Sequence, residues 1–391
     1  MEEQRENRGF PIQKLPCLVT SRIIRLMETW EQIRLCLTSN KMETIIRSVN
    51  LPPMVYGCYF RDYSVISIGV DNQCTFFHCG SEVPEEIIEN DLIREELSKW
   101  LKPTDSNQLD VMLSLFEKVF PIIPQSYMDV HLAPAEMRTL SIQDVISRPI
   151  IKSCEEIQIY GGREISSEDL NCILDTASCL KRLKLTNTSP PYGYYHEKLF
   201  RIAEFECPSS EWMNIEFLLA IKNTGALIID ENRFNYADLN RYLKCWVRSE
   251  IDLFDTCLLI KIEEDIPENV LFDGITRLNS NRFGLPVYLI IVDINQQQRN
   301  KPVLSIWYEE QTLKLSAWLP DHHWQNQKGE GESVSFEGEY NALRFVEKRM
   351  ELEETLKENY NDEKILNKIR ELNEQLEQLQ DDLKFTITEC I

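Results

Sequence analysis

Apolar residues recur at helical spacing across residues 10–49: Leu15, Val19, Ile23, Ile24 and Met27, then Ile33, Leu35 and Leu37, then Ile45, Ile46 and Val49. Pro16 stands where a helix can begin, since a first turn needs neither its N–H nor a free φ. Thr38 and Ser39 can cap a further helix. The pattern predicts three short helices, a unit too small to bury a large core alone, so it must lean on something else. Pro52 and Pro53 break it. Alternating or apolar stretches follow at 63–70 (YSVISIGV) and 73–79 (QCTFFHC), the pattern of antiparallel strands. A helix is expected over 107–119.

From 126 to 263 the period switches repeatedly between strand and helix. Strands are expected at Tyr127–Leu132, Glu156–Tyr160, Arg182–Leu185, Gly225–Ile229 and Leu258–Ile262. Helices are expected at Ser141–Ser147, Ser166–Ala177 and Tyr236–Arg248. The interval of about 25–30 residues between strands is that of a strand-helix solenoid such as a leucine-rich repeat. No consensus repeat with its Asn or Cys position is present, so the expectation is an irregular, leucine-rich-repeat-like array. Residues 286–318 read as three strands joined by turns.

From Gly338 the pattern is helical and acidic. Ile365, Ile369, Leu372, Leu376, Leu379 and Leu383 form a heptad stripe, and Asn359–Asp362 can break the segment into a hairpin. The fold class expected is α+β: three N-terminal helices in 10–50, an irregular strand-helix domain in 51–320, a linker in 321–337 and a helical, coiled-coil-like tail in 338–391.

Charge narrows the partners. Lys and Arg total 42 against 64 Asp and Glu, a formal net charge of -22. That balance argues against nucleic acid and anionic membranes, which want clustered cations. Residues 1–50 are the exception, slightly basic through Arg22, Arg25, Arg34, Lys41 and Arg47, so an acidic partner would prefer the N-terminal segment. The N-terminus is polar, and no window approaches the apolar length a membrane span needs. Twelve cysteines without C-x-x-C pairs read as reduced thiols of a cytoplasmic or nuclear protein.

Candidate chemistry is sparse. His78, His131 and His196 are isolated, and His322 and His323 are adjacent in the linker. Cys74, His78 and Cys79 share one expected strand, where alternation puts Cys79 on the opposite face, so no metal or cofactor is expected. There is no nucleophile elbow, phosphate loop or dinucleotide fingerprint, and no enzymatic activity is expected.

The segments LPCLVTSRIIRLM at 15–27, the helix around Trp30–Leu37 and SNKMETIIRS at 39–48 together resemble an F-box. Residues 157–177, 234–262 and 286–318 are similar to the type-2 F-box-associated domain of the large nematode F-box family, with Asp238, Leu239, Asn240, Leu243 and Trp246 carrying much of the likeness. Leu239, Leu243 and Trp246 are spaced as core positions of a helix, so they mark the fold and not a ligand site. The resemblance implies a substrate-recognition subunit of an SCF-type cullin-RING ubiquitin ligase. It would bind a Skp-family adaptor, and through it a cullin, and hold an unknown protein substrate with the downstream domain. Leu15, Pro16, Val19, Ile23, Ile24, Met27, Ile33, Leu35 and Leu37 are the adaptor-binding residues it implies. The Skp family is acidic, which suits the basic balance of this segment. The alternative is a non-catalytic scaffold, self-associating through residues 338–391; the Thr44 and Ile45 that stand where an F-box usually carries a late Trp favour it.

Overall fold

The computed structural model describes residues 12–61, 64–70, 73–79, 108–122, 124–137, 140–161, 164–222, 224–262, 267–282, 285–293, 299–322, 335–358 and 362–389. The chain is α+β, with three N-terminal helices and an extensive mixed sheet. It divides into two compact units, one comprising residues 1–162 and 172–180, the other residues 163–171 and 181–391. The division passes through a helix.

The first unit opens with α1 (Cys17–Leu26), α2 (Thr29–Leu37) and α3 (Asn40–Ser48). Pro16 sits just ahead of α1 in extended conformation (φ -56°, ψ 144°). The Gln32 amide donates to the carbonyls of Ile24 (2.9 Å) and Met27 (3.0 Å), satisfying acceptors that the end of α1 leaves open. Glu31 accepts from the Glu28 N–H (3.0 Å) at the start of α2, and Ser39 Oγ accepts from the Met42 N–H (3.3 Å) at the start of α3. Buried Ile24, Cys36, Ile46 and Val49 form a core that Leu51 and Ile122 complete. Ile122 follows α4 (Gln108–Val119), so the helices lean on their own unit, as their size demands.

The sheet of this unit has β1 (Met54–Phe60) at its centre. It pairs antiparallel with β2 (Ser64–Val70), which pairs antiparallel with β3 (Gln73–Cys79). On its other side β1 runs parallel to β4 (Gln125–Leu132), and β4 runs parallel to β5 (Glu156–Tyr160). A short helix, α5 (Ile142–Ile146), lies between them in sequence, closed by a reciprocal cap of Ser141 and Asp144. Helix α6 (Ser167–Thr176) is the one the division crosses.

In the second unit β6 (Arg182–Thr186), β7 (Glu204–Ser209), β8 (Thr224–Glu231) and β9 (Phe254–Lys261) are parallel neighbours in sequence order. Helices α7 (Ile215–Ala220) and α8 (Tyr236–Arg248) fall between them in the chain. Burial alternates along these strands, with Leu183 and Leu185, Leu227 and Ile229, and Leu258 and Ile260 inside. This period of two leaves their intervening residues on a less covered face. On α8, buried Leu239, Tyr242, Leu243 and Trp246 form the inward stripe, and Asn235 with Asp238 forms a reciprocal cap.

Beyond β9 the pairing turns antiparallel, through β13 (Thr312–Trp318), β12 (Val303–Glu309), β11 (Leu285–Ile291) and β10 (Arg277–Arg282) to β14 (Thr386–Thr388). Helix α9 (Glu268–Leu271) precedes β10. Helices α10 (Glu337–Glu358) and α11 (Glu363–Leu383) form a hairpin whose Ala342, Leu343, Val346 and Leu376 share a core with Leu278, Val287, Leu289 and Val303 of the sheet. This corrects the expected coiled-coil tail. Leu372 and Leu376 of the heptad stripe are buried, and Leu379 and Leu383 pack against that same core. Leu372, Leu376, Leu379 and Leu383 of the stripe are therefore used within the chain. Most of the expected linker, residues 323–334, lies outside the described residues.

Candidate functional site

The nine residues expected to dock an adaptor separate into two groups. Thr20 and Ile24 are the inward side of α1, 4% and 0% exposed, and the Thr20 hydroxyl donates to the Pro16 carbonyl (3.3 Å). Ile24 and Ile33 are interior residues and hold the unit together; as direct contacts to a partner they are corrected. Leu35 and Leu37 are half-buried against the same core, as is Met27. Leu15 and Ile23 are half-buried, Pro16 is exposed, and Val19 is 44% exposed.

The pattern missed the two most prominent residues of this face. Leu18 is 86% and Leu26 80% exposed. With Arg22 between them they are four and eight residues apart, one ridge along the helix. Val19 and Ile23 form the adjoining ridge. The face thus combines Leu18, Val19, Ile23 and Leu26 with the exposed cations Arg22 and Arg25. Leu18 was legible as apolar, but its helical phase was not, since a polar Thr20 marks the inward side.

A second cluster, on β1, β4 and β5 of the same unit, also escaped the sequence pattern. His131, expected to be isolated, has its Nε2 2.9 Å from Asp129 Oδ2 and its ring stacked on Tyr59 at 4.4 Å. The Tyr160 ring lies edge-on at 6.4 Å, and its hydroxyl accepts from Arg61 Nε (2.6 Å). The strand register brings these together: Gly57 opposes Asp129, Tyr59 opposes His131, and His131 opposes Gln158. The pair Asp129–His131 orients an imidazole, but no Ser or Cys hydrogen-bonds to it among the described contacts.

Of the described cysteines, Cys36, Cys58, Cys154 and Cys207 are buried, and Cys17 and Cys179 are exposed. Burial pushes Cys36 and Cys154 up to about 12 and Cys207 up to about 11, and raises Cys58 well above the ordinary thiol value. A thiol so raised is not a ready nucleophile at neutral pH. Among the described residues, no group of three or more His, Cys, Asp or Glu side chains could hold a metal ion. The side chains of Cys74, His78 and Cys79 lie outside the described part. No helix among the described residues is long and apolar enough to cross a membrane.

The second unit holds a cavity of about 340 Å³ whose lining includes Lys244, Arg248, Ile275, Asp293, Glu347 and Met350. Burial is the main cause that raises the Glu347 carboxyl to about 7, opposed by Arg344, whose guanidinium donates to it at 2.8 Å. Asp293 and Glu351 raise it further.

No protein-family model matches the chain, and no curated protein matches it. The functional reading therefore stands on residues and geometry.

Proposed function

We propose that the chain is a substrate-recognition subunit of an SCF-type cullin-RING ubiquitin ligase, docking a Skp-family adaptor through its N-terminal helices and a protein substrate through the sheet-bearing remainder. The observation that carries this reading is the apolar ridge on α1. Leu18, Val19 and Leu26 stand in water on a helix whose other side is already packed, and contiguous exposed apolar residues of this kind mark interfaces. The surrounding Arg22 and Arg25 suit an acidic adaptor, whose charge would speed and orient the encounter.

The parallel strands β6 to β9, laid side by side in sequence order with helices between them, support the finer reading of an irregular, leucine-rich-repeat-like array. Such arrays present extended surfaces to protein partners. The mechanism is proximity: the N-terminal helices hold the ligase, the downstream region holds the substrate, and transfer becomes effectively intramolecular while other subunits supply the chemistry. The reading places the chain in the cytoplasm or nucleus.

Hydrogen exchange of the full chain with and without the Skp adaptor tests it. Added protection should concentrate in residues 17–26 and their neighbours in α2 and α3. Protection confined to the second unit, or none at saturating adaptor, would overturn the assignment.

A further inference from the structure

Large apolar side chains left exposed among the described residues stand mostly singly. Two groups are exceptions: Leu18, Val19 and Leu26 on α1, and Tyr192 with Tyr195, 73% and 66% exposed, in the loop that follows β6.

This loop, NTSPPYGYYH at 187–196, is fixed from within. Pro190 and Pro191 lock their own φ. Gly193 adopts φ +72°, which a residue with a Cβ rarely takes, and its N–H donates to the Trp212 carbonyl (3.1 Å). Between the two exposed rings Tyr194 points inward. Its hydroxyl donates to Asn171 Oδ1 (2.8 Å), and its ring lies edge-on to buried Trp212 at 6.3 Å. Tyr192 is therefore held out on a fixed scaffold, and Tyr195, its ring tilted against buried Phe200 at 4.9 Å, still leaves most of its surface open. Rigid tyrosines offer large amphipathic area at little entropic cost on binding, the physics that favours them in antibody loops.

The loop lies at the carboxyl ends of parallel strands, the end at which open parallel sheets usually bind their ligands. The same end adds Glu211 and Arg233 from the following loops and Glu231 from the end of β8. Arg233 donates to Glu211 (2.7 Å) and Ser209 to Glu231 (3.2 Å). Arg233 thus has a carboxylate of its own, and the chain carries a net charge of -22 with its acidity downstream of residue 50.

We infer that Tyr192 and Tyr195 form the surface on which this chain holds its protein partner, and that the partner offers an extended basic segment whose Lys or Arg side chains lie over the two rings. Cations over tyrosine faces are attracted by the ring quadrupole, and an acidic surround attracts the same segment from a distance. The inference rests on the reading that this unit holds a partner protein.

The test uses the full chain and a fluorescein-labelled peptide of alternating Lys and Ala, with a Glu-Ala peptide as its counterpart, followed by anisotropy at low salt. The basic peptide should bind and the acidic one should not. The double change Tyr192→Ser, Tyr195→Ser should weaken binding by about tenfold, in the manner of an aromatic hot spot. Tyr192→Phe with Tyr195→Phe should retain it. Since both side chains are mostly exposed, thermal unfolding of the variants should match the parent, and this is checked first. Equal binding by the serine variant, or comparable binding of the Glu-Ala peptide, overturns the inference. So does a dimer of the parent that the serine variant dissolves, which would make a second copy the occupant. Adaptor binding measured on the same variant separates the two readings: loss of peptide binding with adaptor binding intact supports both, and a chain that never binds the adaptor sinks only the ligase assignment.

Discussion

Two substitutions on one helix should have opposite consequences. Ile24 of α1 is 0% exposed and packs with Cys36, Ile46, Val49, Leu51 and Ile122. Ile24→Ala removes three buried carbons, about 2.4 kcal/mol of transfer free energy at about 0.8 kcal/mol each. The cavity left among five neighbours adds to this, giving about 3–4 kcal/mol in all. Leu18 lies six residues earlier and is 86% exposed. Leu18→Ala should change stability by no more than about 0.5 kcal/mol, as for other exposed positions. Urea unfolding of the full chain followed by far-UV circular dichroism measures both. If Leu18→Ala costs as much as Ile24→Ala, or if Ile24→Ala costs less than about 1 kcal/mol, then the inward side of α1 is misassigned and the ridge is not free to dock anything.

Other positions give independent checks. The Asn240 side chain is buried and donates to the carbonyls of Leu271 and Asp273, both at 2.9 Å, tying α8 to the turn after α9; Asn240→Ala should cost about 2 kcal/mol by the same urea assay, because two carbonyls lose their partner. Glu347, raised to about 7 mainly by burial, binds its proton more tightly folded than unfolded, where its value is 4.5. Its contribution to stability is therefore fully present below about pH 4.5 and lost as pH rises to 7, so Glu347→Gln should flatten the fall in urea midpoint across that window, and an unchanged slope would show that another group carries it.

Legibility in the sequence followed the strength of local signals. Helix α8 was expected at its observed bounds, because Asn235 and Asp238 cap it and Leu239, Leu243 and Trp246 keep one phase over its length. Strands β5 and β6 were also expected where they lie or within a residue. By contrast β1 is not legible in the sequence, since Pro52 and Pro53 announce a break and MVYGCYF mixes a Gly into its alternation. Strand β7 was missed because two glutamates and Pro208 dilute its pattern; its place is set by parallel pairing with β6 and β8. Strand β14 has three residues and exists through β10 alone, a long-range partner no local window contains.

The heptad stripe shows the same limit in another form. Its spacing was correct, but spacing does not say whether the surface that covers it is a second molecule or the chain's own sheet. On α1 the apolar residues were likewise visible, while their division between core and ridge depended on Thr20 turning inward to its own backbone. The Asp129–His131 pair was hidden because Tyr59 and Tyr160, which complete its surroundings, come from strands far apart in sequence.

The most direct test of the ligase reading is calorimetric titration of the full chain with the Skp adaptor, run beside the double change Leu18→Asp, Leu26→Asp. Both residues are mostly exposed, so the variant should keep the parent's unfolding midpoint. The account predicts saturable binding by the parent and a loss of at least about a hundredfold in the variant, as expected when charges enter the centre of an apolar interface. Equal affinity of parent and variant, or no heat from a properly folded parent, would contradict it.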